Sequence, residues 1–279
     1  MDRTHRILWK DGVTLRDVSI AATDWRGDAF TFAYTAGDYL YIGCELPFGY
    51  KYFDVSVVNA IAATPTVELW SGDTWLPAKD LIDETAVSGV SLGRAGIISW
   101  SQDIDNMQWS PQRKSSEVTG LAATEIYNLF WIRVSWSATL TIGTELEYIG
   151  FRFSDDEALT SFYPDLSNTD LKTAFAAGKT TWREQHLLAA EAVVRDLKRR
   201  KILWRSEQIF EPNLFQEAAC HKCAEVVYGG LGQAYAAVRT QAAERYKDAI
   251  NIAMFEADAN ESGNLDPDEK RASTSYLTR

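Results

Sequence analysis

Residues 130–136, Phe-Trp-Ile-Arg-Val-Ser-Trp, and residues 181–198, Thr-Trp-Arg-Glu-Gln-His-Leu-Leu-Ala-Ala-Glu-Ala-Val-Val-Arg-Asp-Leu-Lys, carry different rhythms. The first is a short run of aromatic and β-branched residues, which suits a pleated, half-buried strand. In the second, Leu187, Ala190, Val194 and Leu197 recur on one face while Glu191, Arg195 and Lys198 fall outside it. That is the spacing of an amphipathic helix. The change of period comes near Asp155, and the chain on either side follows suit.

Before that point the signals are short strands separated by turn residues. Asp11-Gly12, between Ile7–Trp9 and Val13–Leu15, is a two-residue hairpin turn. Ala29–Thr35, Tyr39–Cys44 and Lys51–Val58 follow, with Phe53, Val55 and Val57 alternating against Asp54 and Ser56. Thr66–Trp70 runs into the turn Ser71-Gly72-Asp73, and Ile97–Trp100, Phe130–Trp136, Thr139–Ile142 and Glu147–Phe153 complete the set. Short strands at such intervals predict an antiparallel, jelly-roll-like β-sandwich. Eight of the ten tryptophans lie in this half, which points to a core of aromatic rings between two sheets.

After Asp155 helical signals take over. Ser167–Asp170 and Thr181–Glu184 read as capping boxes, the first opening a short helix with Leu171 and Phe175 on one side. Asn213–Gln216 opens a further helix that stops at Gly229-Gly230. Another runs from about Gln233 to Ala257, with Val238, Ala242, Tyr246, Ala249 and Ile250 as its apolar side. The expected architecture is α+β and multidomain: a β-sandwich over 1–155, a small helical bundle over 156–257, and an acidic tail over 258–279.

The totals narrow the function. A hydrophobic content of 46 % supports a real core, and no apolar run approaches the roughly 20 residues of a spanning helix. The first residues lack an apolar stretch after their basic ones, so no signal peptide is expected. A net charge of −11 opposes wrapping of nucleic acid, which needs cations to displace counterions. Three cysteines cannot make a disulfide framework, and a reducing compartment is the simpler expectation.

No catalytic constellation is legible. His5, His186 and His221 are not set in glycine-flanked turns with a nucleophile, and there is no phosphate loop or dinucleotide fingerprint. Cys220-His221-Lys222-Cys223 offers half a metal site without a second pair, and core packing is the better account of its thiols. A sharper pattern lies between 258 and 269. Asp258, Asn260, Ser262, Asn264, Asp266 and Glu269, with Gly263 at the bend, match the oxygen spacing of an EF-hand calcium loop. Calcium there would act as a structural clamp; otherwise these acids are a solvated helix end. Trp70, Trp75, Trp100 and Trp109 lie in or near loops and could form a platform for sugar rings, against the simpler reading that they fill the core.

Trp70-Ser-Gly-Asp-Thr-Trp75, Asp83-Glu-Thr85, Gly96-Ile-Ile-Ser-Trp100, Trp109 and Phe130-Trp-Ile-Arg133 together resemble β-sandwich modules of tailed-bacteriophage virion proteins. Glu191–Lys198, Ala218–Gly230 and Ala242-Ala-Glu-Arg-Tyr246 with the acidic tail are similar in layout to head–tail adaptor (connector) proteins of long-tailed phages. The N-terminal sandwich departs from the smallest adaptors, which are nearly all helical. The resemblance implies a homo-oligomeric ring, typically of twelve copies, assembled in the host cytoplasm and seated in the virion neck. Its helical part would dock on the portal protein and its tail would reach an adjacent subunit. Other neck or tail proteins would sit beside it, and DNA would slide through without specific binding or any membrane contact. Such a chain is structural and not an enzyme. The alternative is a carbohydrate-binding sandwich on a helical stalk, serving host recognition.

Overall fold

The computed structural model describes residues 5–101, 129–209 and 211–253, and these divide into two compact units at Gly150/Phe151. The first unit holds β1 (His5–Asp11), β2 (Thr14–Asp17), a one-turn helix α1 (Ser19–Thr23), β3 (Phe30–Thr31), β4 (Tyr39–Cys44) and β5 (Tyr50–Val57). It continues with β6 (Pro65–Trp70), β7 (Trp75–Pro77), β8 (Lys79–Asp83), β9 (Gly96–Ser101), β10 (Phe130–Trp136) and β11 (Glu145–Gly150). One sheet has the order β2-β1-β4-β10-β6-β7 and the other β3-β11-β5-β9-β8, with every strand pair antiparallel. The chain is thus an α+β protein with an N-terminal β-sandwich and a C-terminal helical part.

Alternation places Ile7, Trp9, Leu40, Ile42, Val67, Leu69, Ile132 and Val134 of the six-stranded sheet in a core shared with Phe53, Ile98, Leu146 and Ile149 of the other. Aromatic rings dominate it: Phe32 lies 5.4 Å from both Trp9 and Trp136, and Tyr34 lies 5.1 Å from Trp136. The buried Tyr34 hydroxyl donates to Trp136 O at 2.9 Å and accepts from Trp136 N at 2.8 Å, so its burial leaves no polar group unpaired. On the opposite face of the six-stranded sheet, Gly43 pairs with Trp131, and a Cβ at Gly43 would lie 2.8 Å from the indole. Glycine there makes room for the ring to lie across the strand.

Three expected strands differ, and one of them, Glu147–Phe153, is found at Glu145–Gly150 because Phe151 and Phe153 pack in the second unit. Ala29–Thr35 shortens to Phe30–Thr31, because Phe32 and Tyr34 turn into the core. Thr139–Ile142 forms no strand; its threonines spend their hydroxyls on neighbouring loops, as set out below. β7, β8 and α1 are elements the alternation did not mark.

The second unit begins with Phe151 and Phe153, stacked at 5.8 Å, and Phe153 lies in its core. This moves the boundary five residues before the expected one. Its helices are α2 (Asp156–Phe162), α3 (Thr169–Phe175), α4 (Arg183–Arg199), α5 (Gln216–Gly230) and α6 (Ala236–Ile252). Asp155 caps α2 through Ala158 N at 2.8 Å, and Asn168 caps α3 through Asp170 N at 2.7 Å. Ser167, the expected cap of α3, instead ends a preceding 3-10 turn. The box expected at Thr181 is replaced by a longer-range one: Trp182 N donates to Asp156 at 3.0 Å, while Glu184 pairs with Lys179. Leu187, Ala190, Val194 and Leu197 are buried as their spacing required, and so are Ala242, Tyr246 and Ile250 of α6; Val238 is exposed.

Candidate functional site

One end of the sandwich is a set of loops tied together by side chains. Gly12, at φ +56° in the β1–β2 turn, donates its N–H to Asp38 Oδ1 at 2.7 Å, and Asp38 also accepts from Thr35 N at 2.8 Å. Ala36 N donates to Thr139 Oγ1 at 3.1 Å, linking this corner to the β10–β11 loop. That loop is joined to the β5–β6 loop through Ala60 N and Thr141 Oγ1 at 2.8 Å, and through Thr64 N and Ser137 Oγ at 3.0 Å.

At the centre sits Asn59, buried and fully used. Its amide donates to Ile61 O at 2.7 Å and Ser91 O at 2.9 Å, and its carbonyl accepts from Ile61 N, Thr141 N and Thr141 Oγ1 at 2.9–3.0 Å. The β8–β9 loop enters through Ser91, whose hydroxyl accepts from Trp136 Nε1 at 2.9 Å. Leu92 is buried with φ +57°, a left-handed backbone that costs a branched residue about 1–3 kcal/mol. It is held from both sides: its N–H reaches Thr85 Oγ1 at 2.8 Å and its carbonyl accepts from Asn59 N at 3.0 Å.

Beside exposed hydroxyl side chains, these loops display apolar ones. Val13 is 101 % exposed and Ile142 is 93 % exposed, and Val58, Ile61 and Val87 are also exposed. Single exposed apolar residues are ordinary; five carried by one hydrogen-bonded loop set suit contact with another macromolecule.

The tryptophans singled out by position separate. Trp70 and Trp75 pair edge-to-face at 5.4 Å on the outer side of the six-stranded sheet, Trp70 fully buried and Trp75 half-buried. Between Tyr39 and Trp75 lies the Arg133 guanidinium, 4.5 and 4.9 Å from their rings, held by Glu68 through two hydrogen bonds at 2.5 and 2.9 Å. Burial opposes the charge on Arg133, but the bonds to Glu68 outweigh it and raise its pKa. Burial also pushes the Tyr41 hydroxyl up to about 12, although Arg133 beside it acts the other way. Trp100 belongs to the sandwich core against Phe48, 5.6 Å away, so it does not join Trp70 and Trp75. Trp109, and the calcium-loop candidates Asp258, Asn260, Ser262, Asn264, Asp266 and Glu269, lie outside the described residues.

The helical unit holds two histidine clusters that spacing did not reveal. Ser154 Oγ lies 2.8 Å from His186 Nδ1, and His186 Nε2 lies 3.1 Å from Asp156 Oδ1. With the carboxylate accepting from Nε2–H, Nδ1 accepts from the serine. These residue types make a catalytic triad elsewhere, but a nucleophile must meet substrate. Here Ser154 is 5 % and His186 1 % exposed, and Asp156 also holds the start of α4 through Trp182 N. The cluster is a brace between the entry to α2 and α4. Burial drives the His186 pKa down against the opposing bond to Asp156. Burial opposes ionisation of Asp156, yet His186, Trp182 N and Lys172 together hold its pKa below the usual value.

In the second cluster, Tyr163 OH meets His221 Nδ1 at 2.9 Å and Glu217 lies 3.4 Å from Nε2; burial again lowers the histidine pKa. Cys220 and Cys223 are buried in the helical core, and burial pushes the Cys220 thiol up to about 12, far from thiolate chemistry. His5, in the other unit, accepts from Lys51 Nζ at 2.9 Å.

Among the described residues no helix is long and apolar enough to cross a membrane. No protein-family model matches the chain, and neither a curated protein nor a solved structure matches it.

Proposed function

We propose that the chain is a virion structural protein, a ring-forming neck adaptor that joins head to tail through contacts between subunits. The loop end of the sandwich carries this reading. Its loops are fixed by Asn59, Asp38, Thr85 and Thr141, and they hold apolar side chains in water at a cost in backbone strain at Leu92. Rigidity of that kind favours association, because less conformational freedom is lost when a partner covers the surface. The buried histidine clusters support the same reading, since they are spent on bracing helices. The place in the virion, the portal as neighbour and DNA as passing cargo come from the resemblance of the sequence to phage adaptors. Negative-stain imaging of the full chain, alone at high concentration and with its portal, tests the proposal. Rings, alone or on the portal template, are the expected outcome; a compact monomer in both samples refutes it.

A second reading rests on Trp75, half-buried beside Tyr39 and Arg133 on the outer sheet face, an aromatic and polar group of the kind that stacks on sugars. Glycan binding that disappears in Trp75→Ala, with the fold intact by circular dichroism, would favour it over the adaptor.

A further inference from the structure

The net acidity of the chain is unevenly placed. Residues 1–150 hold 11 Lys and Arg against 19 Asp and Glu, residues 151–253 hold 14 of each, and residues 254–279 hold 3 against 6. Within the helical unit the charges separate again. Arg195, Lys198, Arg199, Arg200 and Lys201 form an exposed basic run at the end of α4. Cations there are favoured by the carbonyls of the last helical turn, which accounts for part of the run. It does not account for the convergence of other helices on it. A groove of about 510 Å³ beside the run brings Lys222 of α5 and Lys247 of α6 next to Arg199 and Arg200, over a floor that includes Tyr246. Two acids face the same groove: Asp196, near Arg199 at 3.7 Å and bound by Tyr246 OH at 2.7 Å, and Glu225, paired with Lys222 at 2.8 Å. Four cations against two carboxylates leave the groove positive.

The last described turn of α6 is tied to this patch. Arg200 Nη1 donates to Asn251 Oδ1 at 2.6 Å, two residues before Ala253. The sequence that continues from there carries Glu256, Asp258, Glu261, Asp266, Asp268 and Glu269, with no cation before Lys270. An extended chain covers roughly 3.3–3.6 Å per residue, so this stretch has ample length to fold back on a groove beside its own point of departure. Tethering at such short range gives an effective concentration of order mM, which a separate anionic partner must exceed.

We infer that the acidic stretch 256–269 docks on the basic groove between α4, α5 and α6 of its own chain. The contact neutralises Arg199, Arg200 and Lys247 and occupies Asp258, Asp266 and Glu269, the same acids that fit the calcium-loop spacing. It departs from the adaptor layout at one point, since there the tail reaches an adjacent subunit and here it stays on its own chain.

Zero-length carbodiimide coupling of the full chain tests it, with an equal mixture of ¹⁴N- and ¹⁵N-labelled protein and mass mapping of linked peptides. Links between Lys198, Lys201, Lys222 or Lys247 and acids of 256–269, all within one isotope, are expected. The combined change Arg199→Glu, Arg200→Glu and Lys247→Glu should cut docking-dependent links at the remaining lysines by about fivefold or more at low salt. A second arm keeps the patch intact and neutralises the acids as Gln or Asn; the acylation rate of Lys247 should then rise. Mixed-isotope links, no links, or an unchanged Lys247 rate each overturn the inference.

Discussion

The two units bury polar groups in different ways. In the sandwich the knots are mostly made of neutral groups: the Tyr34 hydroxyl with the Trp136 backbone, and Asn59 with Ile61, Ser91 and Thr141. In the helical unit they join a histidine or tyrosine to a carboxylate: His186 with Asp156, His221 with Glu217, Tyr228 with Asp165, and Tyr246 with Asp196. Neutral knots keep their strength from neutral pH into mild acid, while those with a histidine are tuned by it. The sandwich is built to present one fixed surface, and the helical unit responds to protons.

The largest effect that would sharpen this contrast is expected from Asn59→Ala. It strips partners from two carbonyls, two N–H groups and a hydroxyl, and should destabilise the sandwich by about 3 kcal/mol, measured by urea unfolding. The loss should be the same at pH 7.5 and pH 5. Next, Gly43→Ala should cost the sandwich about 2 kcal/mol, because its Cβ meets the Trp131 ring and the ring must shift. Retention of wild-type stability would show that the outer face is loosely packed.

His186→Gln tests the other side of the comparison. It leaves Ser154 and Asp156 poorly matched and should cost the helical unit about 1–2 kcal/mol at pH 7.5, and less in acid. The sign follows from the two histidines. Their folded pKa values lie below the ordinary 6.5, so the unfolded chain takes up protons first as pH falls. The stability of the neutral clusters is whole above about 6.5 and declines as pH drops toward their folded values. Asp156, whose pKa is lowered from 3.8, adds a second loss at still lower pH. Alkali acts on both units, because Tyr34 and Tyr41 in one and Tyr228 and Tyr246 in the other are raised chiefly by burial, and that stability is lost above about pH 10. Residue-resolved hydrogen exchange should show acid loosening in the helices before the sandwich. Smallest in stability is the pair Val13→Asp and Ile142→Asp. Each should change it by no more than about 0.5 kcal/mol, yet reduce self-association by sedimentation.

Much of this organisation was legible in the chain. Tyr39–Cys44 and Phe130–Trp136 form strands with the bounds their alternation and bulk suggested, and the apolar stripe of α4 faces its core. Thr139–Ile142 misled because β-branched residues favour strands, whereas here Thr139 and Thr141 serve as hydrogen-bond partners for distant loops. Local propensity holds no trace of such pairing. The same limit hid the Ser154, Asp156 and His186 cluster, whose members meet only because α2 packs near the start of α4. The tryptophans divided for a related reason: strand register decides which face a ring occupies, and register depends on partners far along the chain.

A locked loop end is the property on which assembly through this surface depends. Amide hydrogen exchange of the full chain at neutral pH measures this at Ala60, Ile61, Leu92 and Thr141, whose N–H groups are held by side chains of the network. With the loop end locked, these four positions are protected comparably to β4 and β10, although all four lie in loops. Exchange at the rate of an open chain would contradict it.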